Sequence, residues 1–399
     1  MELHIFSTHG EPVAEQPVEY VERKGLGHPD SICDAVMEAA ATALRREYLD
    51  RCGRVLHHNL DKALLVAGQS EPRLRGGRVV SPIQIIAGDR ATASAGGLSV
   101  PVDEIVEAAV RKWIRDNLRF VDADQHVAFR SEIQPGSAEL TAIFERQSPV
   151  ANDTSAAVGF APLSETERLV LETEQLINSG AFKERFMVAG EDVKVMAVRH
   201  EKKLQLTVAV AMVDRFVPTA SSYFEQKEEI RTAIVRYVHE RCRRIEEITV
   251  DINKLDQSER GLAGMYLTVL GTSAESGDGG EVGRGNSVNG LISLNRPTSN
   301  EAAAGKNTVC HVGNIYSHLS HKIAGAIVDS IEPVQEAYVW LCGQIGRPID
   351  NPWSAAVRVS LEPGVEPNDV RDEINAIARE HLRQAARTFN PVSPSAANQ

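Results

Sequence analysis

The segment VKVMAVRHEKKLQLTVAVAMV, from Val193 to Val213, constrains the fold more than any other part of the chain. Two apolar stretches flank a polar turn at His200–Lys203, and in the second stretch a large hydrophobic residue occupies every other position from Leu204 to Met212. This alternation indicates a strand with one buried face, because successive side chains of a strand point to opposite sides of the sheet. The segment therefore predicts two antiparallel strands in a sheet that is covered on one face.

Amphipathic helices alternate with strand signals along the chain. SICDAVMEAAATALRREYLDRCG has apolar residues at helical spacing, follows Pro29 and Asp30 and ends at Gly53, which are helix start and stop signals. SETERLVLETEQLINSG opens with Ser164 and Glu167 at the spacing of a capping box. Single helices between strand pairs favour an α+β fold, with helices covering antiparallel sheets, over a doubly wound parallel sheet.

The same patterns predict the remaining elements of the second half of the chain. Helices are predicted in SSYFEQKEEIRTAIVRYVHERC, IYSHLSHKIAGAIVDSI and PNDVRDEINAIAREHLRQAART. Strands are predicted in EEITVDIN, MYLTVLG, AYVWLCGQI and SAAVRVSLEP. The last residues, 391–399, have the composition of a disordered tail.

Charge and cysteine usage exclude several function classes. A formal net charge of −12 over 399 residues makes the chain a poor candidate for binding nucleic acid or an anionic membrane. No apolar run approaches the ~20 residues of a transmembrane helix, and the first residues do not resemble a signal peptide. The five cysteines are scattered and form no C-x-x-C pair, which indicates reduced thiols in the cytoplasm.

A glycine-rich segment, GTSAESGDGGEVGRGN from Gly271 to Asn286, carries both signs of charge. Such a stretch is often a flexible linker. It is also typical of a phosphate-binding loop, because glycine lets backbone N–H groups approach an anion closely. By itself the segment leaves both interpretations open.

Four further stretches contain candidate binding residues. In ERKGLGHPDSICD, His28 and Asp30 lie at the beginning of a predicted helix, where anions bind, although Asp30 alone is explained by capping. In GEDVKVMAV, Asp192 and Lys194 share one strand face, as many solvated ion pairs do. The other two stretches are NDTSAAVGFAPLSETE, with Asp153, and RPTSNEAAAGKNTVCHVGNIY, with Lys306 and His311.

These stretches together indicate a Mg²⁺–nucleotide enzyme. Aspartates are ligands for hard cations, and lysine or arginine beside glycine suits phosphates. The sequence has no Walker P-loop, no dinucleotide-binding G-x-G-x-x-G after a strand and no G-x-S-x-G elbow. The inventory does not name the reaction.

The chain resembles the S-adenosylmethionine synthetases (methionine adenosyltransferases), most closely their archaeal-type branch, from about Val18 to Pro391. The resemblance is carried, in order, by ERKGLGHPDSICD, HHNLD, NDTSAAVGFAPLSETE, GRGNSVNGLIS and EAAAGKNTVCHVGNIY. It implies one unit of three interwoven α+β subdomains with pseudo-threefold symmetry, in approximate segments 1–150, 151–270 and 271–390. It also implies a homodimer, or a dimer of dimers, with active sites between subunits.

The implied reaction joins ATP and L-methionine into S-adenosylmethionine and then cleaves the bound triphosphate to pyrophosphate and phosphate. The resemblance implies two Mg²⁺ per site and, in many members, a K⁺. The implied catalytic residues are His28, Lys194, Arg284 and Lys306. The implied substrate-binding residues are Glu22, Gln147, Asp153, Asp192, Gly283, Gly305 and His311, with Asp61 as a weaker candidate. The implied metal ligands are Asp30 and Asp278.

Some positions depart from the family pattern. Departures from the archaeal-type pattern are Leu60, Lys62, Asp89 and Asn314, whereas Ser31 and Gly285 depart only from the bacterial pattern and are tolerated in the archaeal-type branch. The departures leave two alternatives open: a paralogue that adenosylates another nucleophile, or an ATP-binding regulatory relative without turnover. The full set of phosphate-binding candidates, including His28 and Lys306, argues against the second.

Overall fold

The computed structural model describes residues 2–7, 10–137, 144 and 150–388. The described residues contain seven α-helices: α1 (Pro29–Cys52), α2 (Val102–Asn117), α3 (Glu165–Ile177), α4 (Gly180–Arg185), α5 (Ala220–His239), α6 (Val312–Ser330) and α7 (Arg371–Thr388). The first ten strands are β1 (Leu3–Ser7), β2 (Val18–Lys24), β3 (His58–Asn59), β4 (Ala63–Val66), β5 (Gln69–Glu71), β6 (Arg78–Ser81), β7 (Ile83–Ala87), β8 (Arg90–Ala91), β9 (Ser94–Ala95) and β10 (Leu98–Ser99). The others are β11 (Val127–Ser131), β12 (Ala156–Ala161), β13 (Ala189–His200), β14 (Lys203–Val213), β15 (Glu247–Ile252), β16 (Leu267–Thr268), β17 (Gly280–Glu281), β18 (Ile292–Ser293), β19 (Val334–Cys342) and β20 (Ser354–Leu361).

The predicted strand pair forms the centre of the largest sheet. β13 and β14 pair antiparallel, with His200 opposite Lys203 at the turn, and the sheet order is β15-β14-β13-β2-β18. The prediction of a strand in MYLTVLG is only partly correct. There, β16 extends over two residues, Leu267 and Thr268, which pair with the end of β14.

The predicted start and stop signals of α1 and the predicted capping box of α3 are confirmed. The α1 helix begins at Pro29 and ends at Gly53, whose φ of 68° is the left-handed conformation that favours glycine after a helix. The α3 helix begins with the predicted capping box, because Ser164 accepts from the backbone of Glu167, whose side chain accepts from the backbone of Ser164.

Three sheet-and-helix units repeat one arrangement. The sheets are β11-β7-β4-β17, the β13–β14 sheet, and β1-β20-β19-β12, and their cores are closed by α1 with α2, by α3 with α5, and by α6 with α7. Each sheet joins antiparallel strands to a corresponding parallel pair, β7 with β11, β14 with β15 and β20 with β1, and β14 also pairs in parallel with the short β16. The α+β prediction is therefore confirmed.

The units are interwoven along the chain. The N-terminal strand β1 lies in the sheet of the C-terminal strands, while β17 and β18 join the other two sheets. One sheet face in each unit carries exposed apolar side chains, such as Phe6, Tyr20 and Leu64, which are 44%, 44% and 46% exposed. The division at 150 and 270 remains a prediction, and residues 391–399 lie outside the described part of the chain. Among the described residues, no helix is both long enough and apolar enough to cross a membrane.

Candidate active site

Two clusters of charged and polar side chains contain most of the predicted site residues. The first, called the helix-mouth cluster, surrounds the beginning of α1 and consists of Glu22, Lys24, His28, Asp30, Asp192, Lys194 and Asp278. The second, called the Lys306 cluster, consists of Asn59, Asp61, Asp89, Asp153, Glu301, Lys306 and His311.

Glycine allows the turn between β2 and α1 to pack directly on the start of β13. A Cβ atom on Gly25 would lie 2.4 Å from the carbonyl oxygen of Val193, and one on Gly27 would lie 2.4 Å from the backbone nitrogen of Asp192. Both distances are too short for any side chain. The turn therefore brings His28 and Asp30 next to Asp192.

His28 is the N-cap of α1, and its Nδ1 accepts a hydrogen bond from the backbone N–H of Asp30 at 3.2 Å. Burial lowers the pKa of His28, against the effect of the Asp30 carboxylate. The imidazole is therefore neutral at pH 7, and because Nδ1 is an acceptor, the proton is on Nε2. This nitrogen is the donor that His28 can offer to a ligand.

The glycine-rich segment is held against α1 by two carboxylates. Asp30 accepts from the backbone N–H of Glu281 at 3.0 Å and from Lys24 Nζ at 2.9 Å. Asp34 accepts from the backbone N–H of Gly283 at 2.7 Å. The segment is therefore fixed in place over the residues from 280 to 283, which contradicts the linker interpretation for this part of it.

Asp192 and Lys194 have different partners. The Asp192 carboxylate is buried and accepts from the backbone N–H of Ser273 at 2.8 Å, whereas Lys194 pairs with Glu22 at 3.0 Å. Burial raises the pKa of Asp192 to about 6, and Asp278 adds to the effect. The charge of Asp278 opposes the ionisation of Asp192, and a divalent cation can relieve this opposition.

Lys306 is the centre of the second cluster. Its side chain is 4% exposed and forms ion pairs with Glu301 and, at 3.4 Å, with Asp61. Burial lowers its pKa, while Asp61 opposes that change. His311 is the N-cap of α6, and its Nε2 lies 3.8 Å from Asp153.

Asn59 joins two carboxylates of this cluster. Its Nδ2 donates to Asp61 at 2.7 Å and to Asp89 at 2.8 Å. Burial and the neighbouring Asp61 raise the pKa of Asp89 to about 6. The pKa of Asp61 is instead about 2, because hydrogen bonds from Asp89 and Lys62 and the charge of Lys306 outweigh its burial. Of this carboxyl pair, Asp61 therefore ionises more readily than an isolated aspartate, and Asp89 less readily.

A cavity of about 310 Å³ connects the glycine-rich segment to the Lys306 cluster. Asp61, Glu301 and Lys306 line it together with Glu281 and Arg284. The Arg284 side chain is 71% exposed, and its contact with Glu281 is long, at 4.0 Å. Three cationic side chains, Lys62, Arg284 and Lys306, thus face one cavity, and the exposed Arg284 suits a polyanion.

One group of possible metal ligands was not predicted as a metal site. Ligand atoms of Asp153, Glu301 and His311 lie within 4.8 Å of one another. Because Glu301 already pairs with Lys306, part of its charge is neutralised. At the helix mouth Asp30 is likewise paired with a lysine, Lys24, at 2.9 Å, whereas Asp192 accepts from a backbone N–H.

Comparisons with known proteins identify the family. The profile of the family described as S-adenosylmethionine synthetase (AdoMet synthetase) matches residues 1–394. The chain belongs to the S-adenosylmethionine synthetase family. It is 49% identical over 377 residues to the "S-adenosylmethionine synthase" of Aeropyrum pernix, covering 93% of this chain and 92% of that protein. It is 46% identical over 384 residues to the "Probable S-adenosylmethionine synthase" of Aquifex aeolicus, covering 95% and 94%.

The fold is also that of the S-adenosylmethionine synthetase family. The "Unusual S-adenosylmethionine synthetase" structure from Campylobacter jejuni superimposes with a TM-score of 0.63, at 14% identity, over 95% of this chain and 91% of that one. At this identity the likeness concerns the fold alone.

Three further positions singled out in the sequence are Gln147, Gly305 and Asn314. Gln147 lies outside the described residues. Gly305 has a φ of 75° and donates its N–H to Glu38 at 3.0 Å, which positions the backbone next to Lys306. Asn314, which departs from the family pattern, is buried, and its side-chain N–H donates to the carbonyl of Ala303 at 3.0 Å.

Sequence reasoning missed Glu301, the closest partner of Lys306. The spacing of Glu301 and Lys306, five residues apart in a loop, carries no periodic signal that could have indicated their pairing. The bridging role of Asn59 also had no local signal, because its partner Asp89 is thirty residues away.

Proposed function

We propose that this protein synthesises S-adenosylmethionine from ATP and L-methionine and then cleaves the bound triphosphate to pyrophosphate and phosphate. The observation that carries the proposal is the cavity lined by both Lys306 and Arg284, in a chain of this family. A linear triphosphate needs several cationic groups along its length, and such groups converge here although they are distant in sequence.

The proposed chemistry requires no general base, because a thioether sulfur is already a nucleophile. The sulfur attacks C5′ of ATP, the C5′–O bond breaks, and negative charge grows on the triphosphate oxygen that leaves. Nε2–H of His28 is the donor that we assign to this oxygen. A preorganised donor at such a position stabilises the transition state more than the bound substrate.

Lys194, Arg284 and Lys306 are the residues that we assign to the triphosphate. Arg284 and Lys194 are exposed enough to reach a ligand, since their side chains are 71% and 41% exposed. Lys306 is buried in the wall of the cavity. The backbones of Gly283 and Gly305 support these cations by ordering the loops that carry them.

Asp30 and Asp278 are the residues that we assign to Mg²⁺, with Asp192 beside them. When bound, Mg²⁺ would neutralise phosphate charge and favour departure of the triphosphate. The family resemblance adds two expectations, a second Mg²⁺ and a K⁺. We assign Asp153, Glu22, His311 and Gln147 to the methionine and adenosine end of the substrates.

One assay tests the reaction. Purified protein is incubated with MgATP and a panel of thioethers, and products are followed by mass spectrometry and phosphate release. Methionine should yield S-adenosylmethionine, pyrophosphate and phosphate. Faster alkylation of another acceptor would instead identify a paralogue, and ATP binding without alkylation would identify a regulatory relative.

We also propose a homodimer that completes the site, working in the cytoplasm. The exposed apolar side chains on the open sheet faces, such as Tyr20 and Leu64, support a large self-association surface. Light scattering at micromolar concentration should give at least a dimer. A fully active monomer would contradict this proposal.

A further inference from the structure

Arg45 is a buried arginine in which only part of the guanidinium group has a hydrogen-bond partner among the described residues. It is 6% exposed, and its Nη1 donates to Thr308 Oγ1 at 3.0 Å. Its Nε and Nη2 are buried and have no hydrogen-bond partner among the described residues. Buried charged donors without acceptors are costly and rare in native proteins. This side chain therefore differs from the paired buried cations elsewhere in the protein, such as Lys306.

Arg45 lines a second cavity, of about 550 Å³. The walls of this cavity come from α1, α6, β12 and the loop between residues 283 and 304. Its volume is in the range of small-molecule sites. Apolar side chains such as Val158 and Phe160 lie beside polar ones such as Ser299 and Lys322, so the lining suits an organic ligand with a polar end.

The charges along this cavity are separated. Along α1, Arg45 follows Asp34 by eleven residues and Glu38 by seven, or about 16 Å and about 10 Å of helix, and it attracts the nearer carboxylate, Glu38. The two carboxylates already accept backbone hydrogen bonds, Asp34 from Gly283 and Glu38 from Gly305. Burial raises the pKa of both, to about 6 for Asp34. The Arg45 end is therefore the end that can receive an anion.

The two unpaired donor nitrogens of Arg45, Nε and Nη2, indicate which chemical groups the cavity can bind. Nε–H and the adjacent Nη2–H form two parallel donors, which match two oxygens of a carboxylate or a phosphate group. We propose that this cavity is a second ligand site, in which Arg45 binds the carboxylate or phosphate group of a small molecule. The site goes beyond the proposed synthesis, and its cavity adjoins the candidate active-site cavity through Gly283 and Glu301.

Isothermal titration calorimetry on the full chain tests the site. The probes are inorganic phosphate and succinate, each compared with chloride at equal ionic strength. Phosphate is also a product of the proposed reaction and can bind at the candidate active site. Arg284→Ala weakens phosphate binding there, so this variant distinguishes active-site binding from binding at Arg45. Arg46→Met is the matched control, since Arg46 is the next residue on α1, is exposed and lies outside the cavity.

At least one probe should bind, and Arg45→Met should weaken that binding by about 10- to 100-fold, the loss expected for hydrogen bonds to a charged group. Arg46→Met and Arg284→Ala should keep this binding. Arg45→Lys should weaken it as well, because an ammonium group lacks the two parallel donors. Which of the two probes binds will distinguish a phosphate ligand from a carboxylate ligand.

Three results would overturn the proposal: no binding of either probe at millimolar concentration, unchanged binding in Arg45→Met, or phosphate binding that only Arg284→Ala removes. Circular dichroism checks the fold of each variant. If Arg45→Met does not fold, the test uses Arg45→Lys instead. Wild-type affinity of Arg45→Lys for both probes would also overturn the proposal.

Discussion

The helix-mouth cluster and the Lys306 cluster hold their charges in different ways. At the helix mouth, backbone N–H groups of nearby turns fix the carboxylates, as Glu281 does for Asp30 and Ser273 does for Asp192. In the Lys306 cluster, side chains fix one another, as Lys306 does with Asp61 and Glu301. We therefore expect the helix-mouth cluster to tolerate the loss of one side chain better than the Lys306 cluster does.

The largest expected effect is that of Lys306→Ala. The substitution removes the buried cation from Asp61, which keeps only the exposed Lys62, and from Glu301, whose side chain is 25% exposed. Breaking a buried pair typically costs about 3–5 kcal/mol, and these remaining contacts place the expected loss at the lower end of that range. Urea denaturation measures this loss. Lys62→Ala is the control, because Lys62 pairs with the same Asp61 but is 67% exposed, and it should change stability by less than about 1 kcal/mol. Equal losses in the two variants would contradict the contrast between the clusters.

Lys306→Ala should also affect the proposed reaction at two stages. Lys306 is assigned to the phosphates in the ground state and in the transition state alike. The variant should therefore raise the KM for ATP, and it should lose most hydrolysis of free tripolyphosphate.

The next largest effect is expected for His28→Ala, at the helix mouth. Loss of a preorganised transition-state donor typically lowers the rate by about 10²–10³-fold with little change in KM. Hydrolysis of free tripolyphosphate bypasses the alkylation step, so most of that activity should remain. Steady-state kinetics with both substrates measure the two effects.

His28→Asn separates this role from helix capping. Asparagine is a good N-cap, so it should restore the stability of α1, which the alanine variant loses by about 1 kcal/mol. It should not restore turnover. Full recovery of turnover in His28→Asn would show that His28 acts only by positioning the helix.

A smaller effect, of the opposite sign, is expected for Asp89→Asn. The pKa of Asp89 in the folded protein is about 6, above its ordinary value, so its favourable contribution to stability is lost as the pH rises through 6. Asparagine removes this ionisation and also tolerates the φ of 77° at position 89. The variant should be about 2 kcal/mol more stable than the wild type at pH 8, and equally stable at pH 4.

Asp61→Asn provides the internal contrast. Because the pKa of Asp61 is about 2, below its ordinary value, the carboxylate stabilises the fold above pH 4, and this contribution is lost as the pH falls through 2. This variant should therefore be less stable than the wild type at pH 7. Denaturation curves at several pH values would reject the assignment if both variants shifted in the same direction.

The smallest effect on stability is expected for Lys194→Ala. Its ion pair with Glu22 is 41% exposed on the lysine side, and such pairs contribute less than about 1 kcal/mol. The KM for ATP should nevertheless rise, since Lys194 is assigned to the triphosphate. A strongly destabilised Lys194→Ala variant would remove the distinction between the two clusters.

Local patterns in the sequence were sufficient to predict the secondary structure around the helix mouth. The start of α1 at Pro29, its stop at Gly53 and the β13–β14 pair all follow from capping residues and periodicity within a few residues. These signals act through backbone hydrogen bonds between near neighbours, so a short window contains their physical cause. The length of β16 was not predictable in this way, because it depends on pairing with the distant end of β14.

Only the tertiary structure decided which charges meet. Lys306 was a candidate because of its motif, but its partner Asp61 comes from a distant segment, and burial decides how strongly the two interact. The free edge of Arg45 is likewise invisible in the sequence, where it is one charged residue on an amphipathic helix. The sequence alone determined the family, the α+β class and the chemical inventory of the site. Partners, protonation and cavities arise from long-range packing, because Coulomb and desolvation energies depend on distances and burial that only the folded chain defines.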